Sequence, residues 1–570
     1  MGMEERHGRR PRRREMGTLV IEVSGIRISL ERLGDPEAEL GVVKGAVARE
    51  LRCPVDKLAS FELRRRSIDA RKRDRVSITY TARVTLAGGA GEEGRLLARL
   101  KKSKADKGIR LVDETRYALP ARVTPSASGR IVVVGAGCAG LFCALALANA
   151  GLEPLLVERG DDATRRTEQV RRHNELGVLD HESNIQFGLG GAGTFSDGKL
   201  NTGTKSASHR LILETLVEAG APRAILWDAK PHVGSDILPR VVTRIVEMIR
   251  ERGGEVWFRS RLTGIETDGR RMRGVRVARS DVDGDELSEE RIPTERVVLA
   301  TGHSARDVFE MLRDGGVALE RKVFSMGVRI EHLQRDIDRA LYGDNAGNPL
   351  LGAAPYKLVA ETQTGRSLYS FCMCPGGYVV SAASEPGGVC TNGMSLSDRA
   401  GTNANAGLLV NVLPEDLPGD DPLAGVELQR SCERAAYDAG GGAYVAPAQL
   451  VGDFLAGVGS SGPGRVTPTY PRGVSWGDVS TCLPDYVSET LREGLLLLGR
   501  RLRGFDDSEA VLTGVEARSS SPVRVTRDES GQSVNTGGLF PCGEGAGYAG
   551  GIMSAAADGL RCAEWVIASL

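Results

Sequence analysis

The stretch Arg130-Ile-Val-Val-Val-Gly-Ala-Gly-Cys-Ala-Gly140 decides the fold of this chain. Its four consecutive apolar residues predict a short, buried strand that ends in a glycine turn. Gly135, Gly137 and Gly140 match the pattern Gly-x-Gly-x-x-Gly. The first glycine permits a tight turn, the second lets the backbone approach a pyrophosphate, and the third lets the next helix pack closely on the strand. The stretch therefore predicts a dinucleotide-binding turn.

The residues that follow complete this pattern. An almost wholly apolar segment, residues 138–149, predicts a helix that stops at Gly151. A second short strand, residues 154–157, leads to Glu158, which lies 18 residues after Gly140. An acid at this point can hold a ribose hydroxyl, while the helix N-terminus favours the phosphates. The whole pattern is far more specific than its glycines alone.

The composition limits the other possibilities. At 570 residues the chain is long enough for roughly three or four domains. No apolar run reaches about 18 residues, so we expect no membrane span. Residues 1–16 are rich in arginine and lack an apolar segment, which predicts a disordered basic tail rather than a secretory signal. The ten cysteines are scattered, which favours reduced thiols in the cytoplasm, and no cysteine–histidine grouping has the spacing of a metal site.

The formal net charge of zero hides an uneven distribution. Residues 1–110 hold 27 basic and 16 acidic residues, a net charge of +11, so the rest of the chain carries −11. Basic residues cluster in residues 64–75, RRRSIDARKRDR. A solvated basic loop or hairpin explains this cluster, and so does a surface for an anionic partner such as nucleic acid or a phosphorylated ligand. The lack of interleaved aromatic residues disfavours single-stranded nucleic acid.

Hydrophobic patterns divide the chain into units. Residues 17–117 predict a small basic α+β unit of β-α-β-β type. Residues 118–320 predict the first part of the dinucleotide-binding unit. Residues 321–510 predict an inserted, mainly antiparallel β domain for the substrate, and residues 511–570 return to the dinucleotide-binding unit.

Three further glycine-bearing segments point to the same ligand. Residues 184–199 hold too many glycines for a stable helix or strand, and they predict a loop whose backbone lies against a flat or phosphorylated ligand. Residues 296–306 predict a buried strand that runs into Thr301 and Gly302 beside the nucleotide. Residues 538–553 predict a strand, a Gly-Glu turn and a second helix N-terminus aimed at the ligand.

These segments resemble the FAD-dependent dehydrogenases of the glutathione-reductase-like flavoproteins, which are akin to geranylgeranyl reductases and fumarate reductase flavoproteins. The resemblance covers nearly the whole chain after residue 16. It rests on the motifs RRSIDAR (65–71), GAGCAG (135–140), GGAGTFSDGKL (190–200), ATGHSAR (300–306), GVRIEH (327–332), FCMCPGG (371–377) and CGEGAGYAGGI (542–552). Leu189 departs from the family pattern, which usually has an acid there. The resemblance implies an α/β fold: an FAD-binding Rossmann-like domain with an inserted, mainly antiparallel β substrate domain and a small N-terminal α+β domain.

The resemblance also implies where FAD is bound. Glu158 would hold the adenosine ribose, and residues 190–199 would lie along the pyrophosphate and flavin. Glu544 would reach the ribityl-phosphate region, and the helix that starts near Ile552 would face the flavin N1/C2 region. The predicted cofactor contacts are Gly135, Gly137, Cys138, Ala139, Gly140, Glu158, Arg159, Gly190, Gly191, Ala192, Gly193, Thr194, Ser196, Asp197, Lys199, Ala300, Thr301, Gly302, Gly543, Glu544, Gly550, Gly551 and Ile552.

A flavin performs hydride transfer itself, so the protein must supply orientation and a proton donor. The candidate catalytic residues comprise two acids or bases, a redox pair and a clamp for a substrate carboxylate: His303, Tyr548, Cys372, Cys374 and Arg329. His332 is a further acid–base candidate. Each has a structural explanation too: capping for a histidine, packing for a tyrosine, inert core for a thiol, and an ion pair for an arginine.

One function is favoured over three others. Only the Gly-x-Gly-x-x-Gly of residues 135–140 stands in the full strand–turn–helix–strand–acid pattern of a dinucleotide site. This predicts no separate nicotinamide domain, so NADPH or NADH would act as a transient reductant. The favoured function is an FAD-dependent oxidoreductase that transfers hydride between the flavin and a C–C or C–N bond of a small metabolite. The alternatives are a flavin-dependent monooxygenase, a flavin-containing RNA-binding or RNA-modifying protein anchored by its basic N-terminal domain, and a nucleotide-binding regulator without turnover.

Overall fold

The computed structural model describes residues 19–114, 117–123, 129–281 and 286–570. The predicted basic tail, residues 1–16, lies outside the described residues. Across the part of the chain that is described, no helix combines the length and apolar character needed to cross a bilayer.

The N-terminal unit is an antiparallel sheet with helices on one face. Its elements are β1 (Leu19–Ser29), α1 (Leu30–Leu33), α2 (Glu39–Glu50), β2 (Leu58–Asp69), β3 (Ser77–Leu86), α3 (Gly89–Lys102) and β4 (Ile109–Asp113). The strand order β2-β3-β1-β4 is the ferredoxin-like arrangement of a β-α-β-β-α-β path. The predicted β-α-β-β unit is thus extended by a helix and a strand. Alternate residues of β1 and β3, such as Ile21 and Val84, are buried in a core that continues into the large antiparallel sheet.

The basic cluster, residues 64–75, lies in the hairpin formed by β2 and β3, which is one of the two predicted arrangements. Residues 64–69 belong to β2 and pair with β3. Two arginines of this stretch contact carboxylates. Arg64 forms an ion pair with Glu114 at 3.3 Å. Arg66 contacts Glu39 at 2.6 Å and also donates to the carbonyl of Leu350 at 2.6 Å, which joins this unit to the antiparallel domain.

The dinucleotide-binding unit follows. Its elements are β5 (Ile131–Val134), α4 (Cys138–Asn149), β6 (Leu155–Val157), α5 (Ala163–Leu176), α6 (His209–Glu218), α7 (Leu238–Arg250), β7 (Glu255–Trp257), β8 (Ser260–Asp268), β9 (Arg271–Ser280), β10 (Glu286–Pro293), β11 (Arg296–Leu299) and α8 (Arg306–Asp314). Strands β8, β9 and β10 form their own antiparallel sheet.

The chain then builds the antiparallel domain and returns. The elements are β12 (Leu319–Arg321), β13 (Phe324–Leu333), α9 (Gln334–Tyr342), β14 (Val359–Glu361), β15 (Ser367–Ser381), β16 (Thr391–Ser395), β17 (Asn403–Val412), α10 (Ala424–Ala439), β18 (Ala446–Leu450), α11 (Val451–Ala456), β19 (Val474–Trp476), α12 (Asp485–Arg501), β20 (Val511–Glu516), β21 (Val523–Val525), β22 (Leu539–Pro541) and α13 (Ile552–Ala568).

A parallel sheet with strand order β22-β11-β5-β6-β7 forms the centre of the dinucleotide-binding unit. Ile131 and Val133 of β5 pack with α4, α7 and α13, whereas Val132 and Val134 pack towards the sheet of β8 to β10. Both faces of β5 are therefore buried, which explains its continuous apolar run.

The large sheet has the order β14-β15-β17-β13-β20-β18-β19, with β16 paired to β15. It is mainly antiparallel, and β18 and β19 form its parallel pair. Strand β20 pairs with β13 and β18. The predicted boundary at residue 510 is therefore too early, because it leaves the last strand of this sheet outside the inserted domain.

Candidate functional site

A cavity of about 540 Å³ lies where the carboxyl ends of the parallel strands meet the antiparallel sheet. Its wall includes the turn after β5, the ends of β6 and β11, the N-terminus of α13 and one face of β15. Ligands of open α/β sheets bind outside the carboxyl ends of the strands, and the volume is typical of small-molecule and cofactor sites.

Most of the predicted cofactor contacts line this cavity: Gly135, Gly137, Cys138, Ala139, Glu158, Arg159, Gly190, Gly191, Ala192, Gly193, Ser196, Asp197, Lys199, Ala300, Thr301, Gly302, Glu544, Gly550, Gly551 and Ile552. Gly140, Thr194 and Gly543 lie outside the wall and support it instead. A Cβ on Gly140 would lie 1.8 Å from the Gly135 carbonyl oxygen. The Thr194 hydroxyl donates to Leu189, and the Gly543 N–H donates to Asp558.

The glycine turn has the properties that its pattern predicts. Gly135 has φ +98°, and a Cβ there would lie 2.4 Å from the Ala300 carbonyl oxygen. A Cβ on Gly137 would approach no atom more closely than 3.9 Å. Neither Gly137, at the start of α4, nor Gly551, at the start of α13, provides a capping side chain. Two helix N-termini therefore border the cavity, and helix N-termini favour anions.

Glu158 joins three turns around the cavity. Its carboxylate accepts hydrogen bonds from the N–H groups of Ala136 at 2.7 Å, Gly160 at 2.9 Å and Gly188 at 2.9 Å. The side chain is buried, so these bonds are shielded from water. The acid at the end of β6 thus fixes the backbone on both sides of the site, in addition to lining it.

Arg166 organises the glycine-rich loop, a role that sequence patterns did not reveal. Its guanidinium is fully buried and donates to the carbonyls of Asn184, Ile185, Gly188, Leu189 and Gly191 at 2.7 to 3.2 Å. Burial lowers the pKa of Arg166 to about 10. The sequence pattern of a polar helix predicts that its arginines are exposed. Only the path of the glycine-rich loop around Arg166 shows that this arginine is buried.

The opposite wall comes from the antiparallel domain. It includes Tyr369, Phe371 and Cys372 of β15, Asn392 of β16, and Arg518 after β20. The Arg518 guanidinium is held by Glu433, with two N–O distances of 2.7 Å. Sequence reasoning missed most of this wall, because its residues are brought together by strand pairing over long sequence separations.

Two predicted catalytic residues, Arg329 and Tyr548, lie outside the cavity wall, and their polar groups are bound elsewhere. Arg329 is fully buried and is bound by Glu516 at 2.9 Å and Asn405 at 2.7 Å, so it cannot clamp a substrate. The Tyr548 hydroxyl accepts from the Arg527 N–H at 2.9 Å, and the Arg527 guanidinium lies 3.7 Å from the ring centre.

His332 also lies outside the cavity wall. Its Nε2 atom lies 2.8 Å from the Phe505 carbonyl oxygen, and burial lowers its pKa to about 4. The side chain packs in the antiparallel domain, away from the cavity wall.

His303 does line the cavity, but its charge state restricts it. Burial and the nearby positive charges of Arg518 and Arg306 lower its pKa to about 4. Its Nδ1 atom lies 3.0 Å from the Ser304 hydroxyl. At neutral pH His303 is therefore an uncharged hydrogen-bonding group and not a cationic proton donor.

Glu544 is the cavity carboxyl whose protonation changes near neutral pH. Burial raises its pKa to about 7, against the opposing effects of the Gly551 N–H, 3.3 Å from Oε2, and of Lys322. The sequence placed Glu544 near the cofactor but did not predict this shift, which depends on how the domains enclose it. A carboxyl of this kind can hold or release a proton at physiological pH.

One group of possible metal ligands comes together among the described residues. Cys542, Asp558 and Cys562 are buried with ligand atoms within 4.8 Å of one another. Both Asp558 oxygens are bound by Arg527, at 2.9 and 2.7 Å, and one also accepts from the Gly543 N–H. The carboxylate is thus neutralised by an arginine, and the group holds β22 against α13.

The cavity wall fits FAD. The glycines at its floor leave space where side chains would intrude, the two helix N-termini suit a pyrophosphate, and a buried acid ends β6. Residues 323–519 match the family model "FAD-dependent protein, C-terminal domain-like". Residues 133–195 match "NAD(P)-binding Rossmann-like domain", and residues 20–85 match a domain of unknown function. The fold, the cavity and these matches together indicate an FAD-dependent protein.

A close relative identifies the family. The chain is 42% identical over 551 residues to an uncharacterised protein of Clostridium beijerinckii, with 96% of this chain and 99% of that protein aligned. The chain belongs to the same family as that protein.

Similar solved structures include a reductase-like protein and a dehydrogenase. A geranylgeranyl bacteriochlorophyll reductase-like protein from Thermoplasma acidophilum is 12% identical, with 77% of each chain covered and a TM-score of 0.34. The glycerol-3-phosphate dehydrogenase from Bacillus halodurans complexed with FAD is 14% identical, with 78% of this chain and 64% of that chain covered and a TM-score of 0.31.

Proposed function

We propose that the protein is an FAD-dependent dehydrogenase or reductase that transfers hydride between FAD and a C–C or C–N bond of a small metabolite. The observation that carries this proposal is the cavity between the dinucleotide-binding unit and the antiparallel domain. The N-termini of α4 and α13 and the glycine-rich loop line one side of it, and the aromatic face of β15 lines the other. Such a cavity can hold a flavin against one wall and a small substrate against the other.

Residues that line the cavity would hold the FAD. The N–H groups at the start of α4, after Gly137, would bind the pyrophosphate, and Glu158 would hold the adenosine ribose. Residues 190–199 would lie along the pyrophosphate and flavin, and the start of α13 at Ile552 would face the flavin ring. FAD, when bound, supplies the hydride chemistry.

The protein's own part is to handle protons and exclude water. Glu544, with a pKa raised to about 7 by burial, is suited to hold the proton that accompanies hydride transfer. Tyr369 and Phe371 present aromatic surface to the substrate, and the Tyr369 hydroxyl is kept in place by Ser325 at 2.6 Å. His303, which is uncharged, would orient a polar group of the substrate.

We further propose NADPH or NADH as a transient reductant, since only the Gly-x-Gly-x-x-Gly of residues 135–140 is followed by the apolar helix, second strand and terminal acid of a dinucleotide site. All ten cysteines are free thiols, which favours a reducing compartment such as the cytoplasm. The RNA-binding alternative is less well supported. Arg64, Arg66 and Arg83 of the basic N-terminal unit are paired with carboxylates, which lowers their attraction for an anionic partner.

An anaerobic titration tests the proposal. Purified protein is titrated with NADH and with NADPH, and its visible absorbance is followed. A flavin band that bleaches with one nucleotide supports the proposal and identifies the reductant. A folded preparation without any flavin band, even after incubation with FAD, contradicts it. Hydrogen peroxide or a hydroxylated product formed on admission of oxygen would favour the monooxygenase instead.

A further inference from the structure

Strand β15 carries an extra residue where it reaches the cavity. Its pairing with β17 advances from Phe371 to Cys374, while the partner strand advances only from Gly407 to Asn405. An advance of three residues on β15 opposite two residues on β17 defines a β-bulge. A β-bulge redirects side chains and is common beside active sites. Cys372 lies in this bulge with φ +42°, in the left-handed region that residues with a Cβ rarely adopt.

Buried polar groups hold the bulge in this conformation. Arg329 donates to the Cys372 carbonyl at 3.2 Å, and the Cys374 thiol lies 3.2 Å from the same oxygen. Arg329 is itself fixed by Glu516 and Asn405. A strained residue that is held by its surroundings in this way is typical of functional positions.

The two thiols differ in access and in charge. Cys372 lines the cavity, whereas Cys374 is fully buried. The hydrogen bond from Cys374 and the positive charges of Lys199 and Arg329 lower the pKa of Cys372 well below its usual range. Burial and the interaction with Cys372 raise the pKa of Cys374 well above its usual range. The Lys199 Nζ atom lies 3.8 Å from the Cys374 sulfur and 2.7 Å from the Asp197 carboxylate, which acts on the pKa of Cys372 in the opposite direction.

A third cysteine shows that a thiol on the cavity wall does not necessarily have a lowered pKa. Cys138 also lines it, but burial and the nearby Glu544 carboxyl raise the pKa of Cys138 to about 12. Since the thiolate is the nucleophile, Cys372 is better suited to react than Cys138. A half-buried thiol on a cavity wall, with a second thiol two residues away, is the arrangement of an attacking and a resolving cysteine.

We infer that Cys372 and Cys374 form a thiol–disulfide exchange centre that takes small disulfides or thiols entering the cavity. The Cys372 thiolate attacks one sulfur of a disulfide R–S–S–R, whose S–S bond breaks as the mixed disulfide Cys372–S–S–R forms and RS⁻ leaves. Cys374 then gives its proton to that RS⁻, and its sulfur attacks the Cys372 sulfur and displaces the second RS⁻, which is protonated from solvent. Two electrons pass from the cysteine pair to R–S–S–R. Lys199 stabilises the Cys374 thiolate in either direction. This centre is additional to the proposed hydride transfer and does not depend on it.

Disulfide exchange on the full-length protein tests the inference. The protein is incubated with excess 2-hydroxyethyl disulfide, quenched in acid and analysed by peptide mass mapping. We expect a disulfide that links Cys372 to Cys374, with release of two molecules of 2-mercaptoethanol per protein. Alkylation of the untreated protein at pH 7 should label Cys372 at least about tenfold faster than Cys138 or the half-buried Cys53, because the thiolate reacts.

Variants separate exchange from a structural role. Cys374→Ser should stop at the mixed disulfide on Cys372, and Cys372→Ser should form neither product. Lys199→Met should move the pH dependence of Cys372 alkylation to higher pH. The inference is overturned if the wild-type protein forms no Cys372–Cys374 link, or if Cys138 or Cys53 is labelled as fast as Cys372. The wild-type measurements decide the question even if a variant fails to fold.

Discussion

The cavity carboxyl Glu544 should make the stability of the flavin-free protein depend on pH. Its pKa rises from 4.5 to about 7, because burial disfavours the carboxylate. Between these values the folded protein keeps a proton that the unfolded chain has lost. The contribution of Glu544 to stability is therefore fully present below pH 4.5 and is lost as the pH rises through about 7. A shift of about 2.5 pKa units corresponds to about 3 kcal/mol.

Glu544→Gln removes this effect, because glutamine has no charge to bury. We expect the variant and the wild-type protein to be about equally stable at pH 4. At pH 8 the variant should be more stable by up to about 3 kcal/mol. Thermal unfolding of the flavin-free proteins, followed from pH 4 to 8.5, measures the difference. For domains of 150–250 residues, 1 kcal/mol corresponds to roughly 2–4 °C, so the midpoints should separate by up to roughly 6–12 °C.

The exposed Glu529 provides the matched control. Glu529→Gln makes the same chemical change in the same part of the chain, and its unfolding midpoints should follow those of the wild-type protein at every pH. Parallel curves for Glu544→Gln and the wild-type protein from pH 4 to 8.5 would refute the reasoning. So would a difference that shrinks as the pH rises.

Three further substitutions test the site. In Arg166→Lys the lysine cannot reach five carbonyls, and FAD binding should weaken at least about tenfold, since a lost charge-assisted hydrogen bond costs about 1.5–3 kcal/mol. Fluorescence titration measures the FAD affinity. The control Arg165→Lys, on the same helix, should bind FAD normally. Gly140→Ala places a Cβ 1.8 Å from the Gly135 oxygen and should abolish FAD retention on gel filtration, whereas Gly45→Ala, whose Cβ meets no atom within 4 Å, should retain it. Tyr548→Phe should lose about 1 kcal/mol of stability but keep the rate of flavin reduction, and a large fall in that rate would restore Tyr548 as a catalytic residue.

The cofactor side of the site could be predicted from the sequence, whereas its other side could not. The turn after β5 depends on residues that are neighbours in the chain, and glycine is required where φ is positive or where backbones touch, as at Gly135. The fate of Arg329 depends on Glu516, which is far away in the sequence. Nothing in the local pattern around Arg329 distinguishes an ion pair in the core from a clamp for a substrate.

The ion pairs of the basic cluster, residues 64–75, likewise could not be predicted from its composition. Its composition indicates exposure and attraction for anions, yet β2 places Arg64 and Arg66 beside Glu114 and Glu39. Composition counts charges, but only the pairing of strands decides which charges neutralise one another.

The sequence by itself determined that this chain binds a dinucleotide-type cofactor between a parallel sheet and uncapped helix N-termini. That conclusion needs only spacing, because a strand, a glycine turn and a helix are built from consecutive residues. Only the tertiary structure decided which face of β15 meets the cofactor cavity, which arginine holds the glycine-rich loop, and which acid titrates near neutral pH. Register, bulges and burial arise from contacts between distant segments, and the pKa values of Glu544 and Cys372 follow from those contacts.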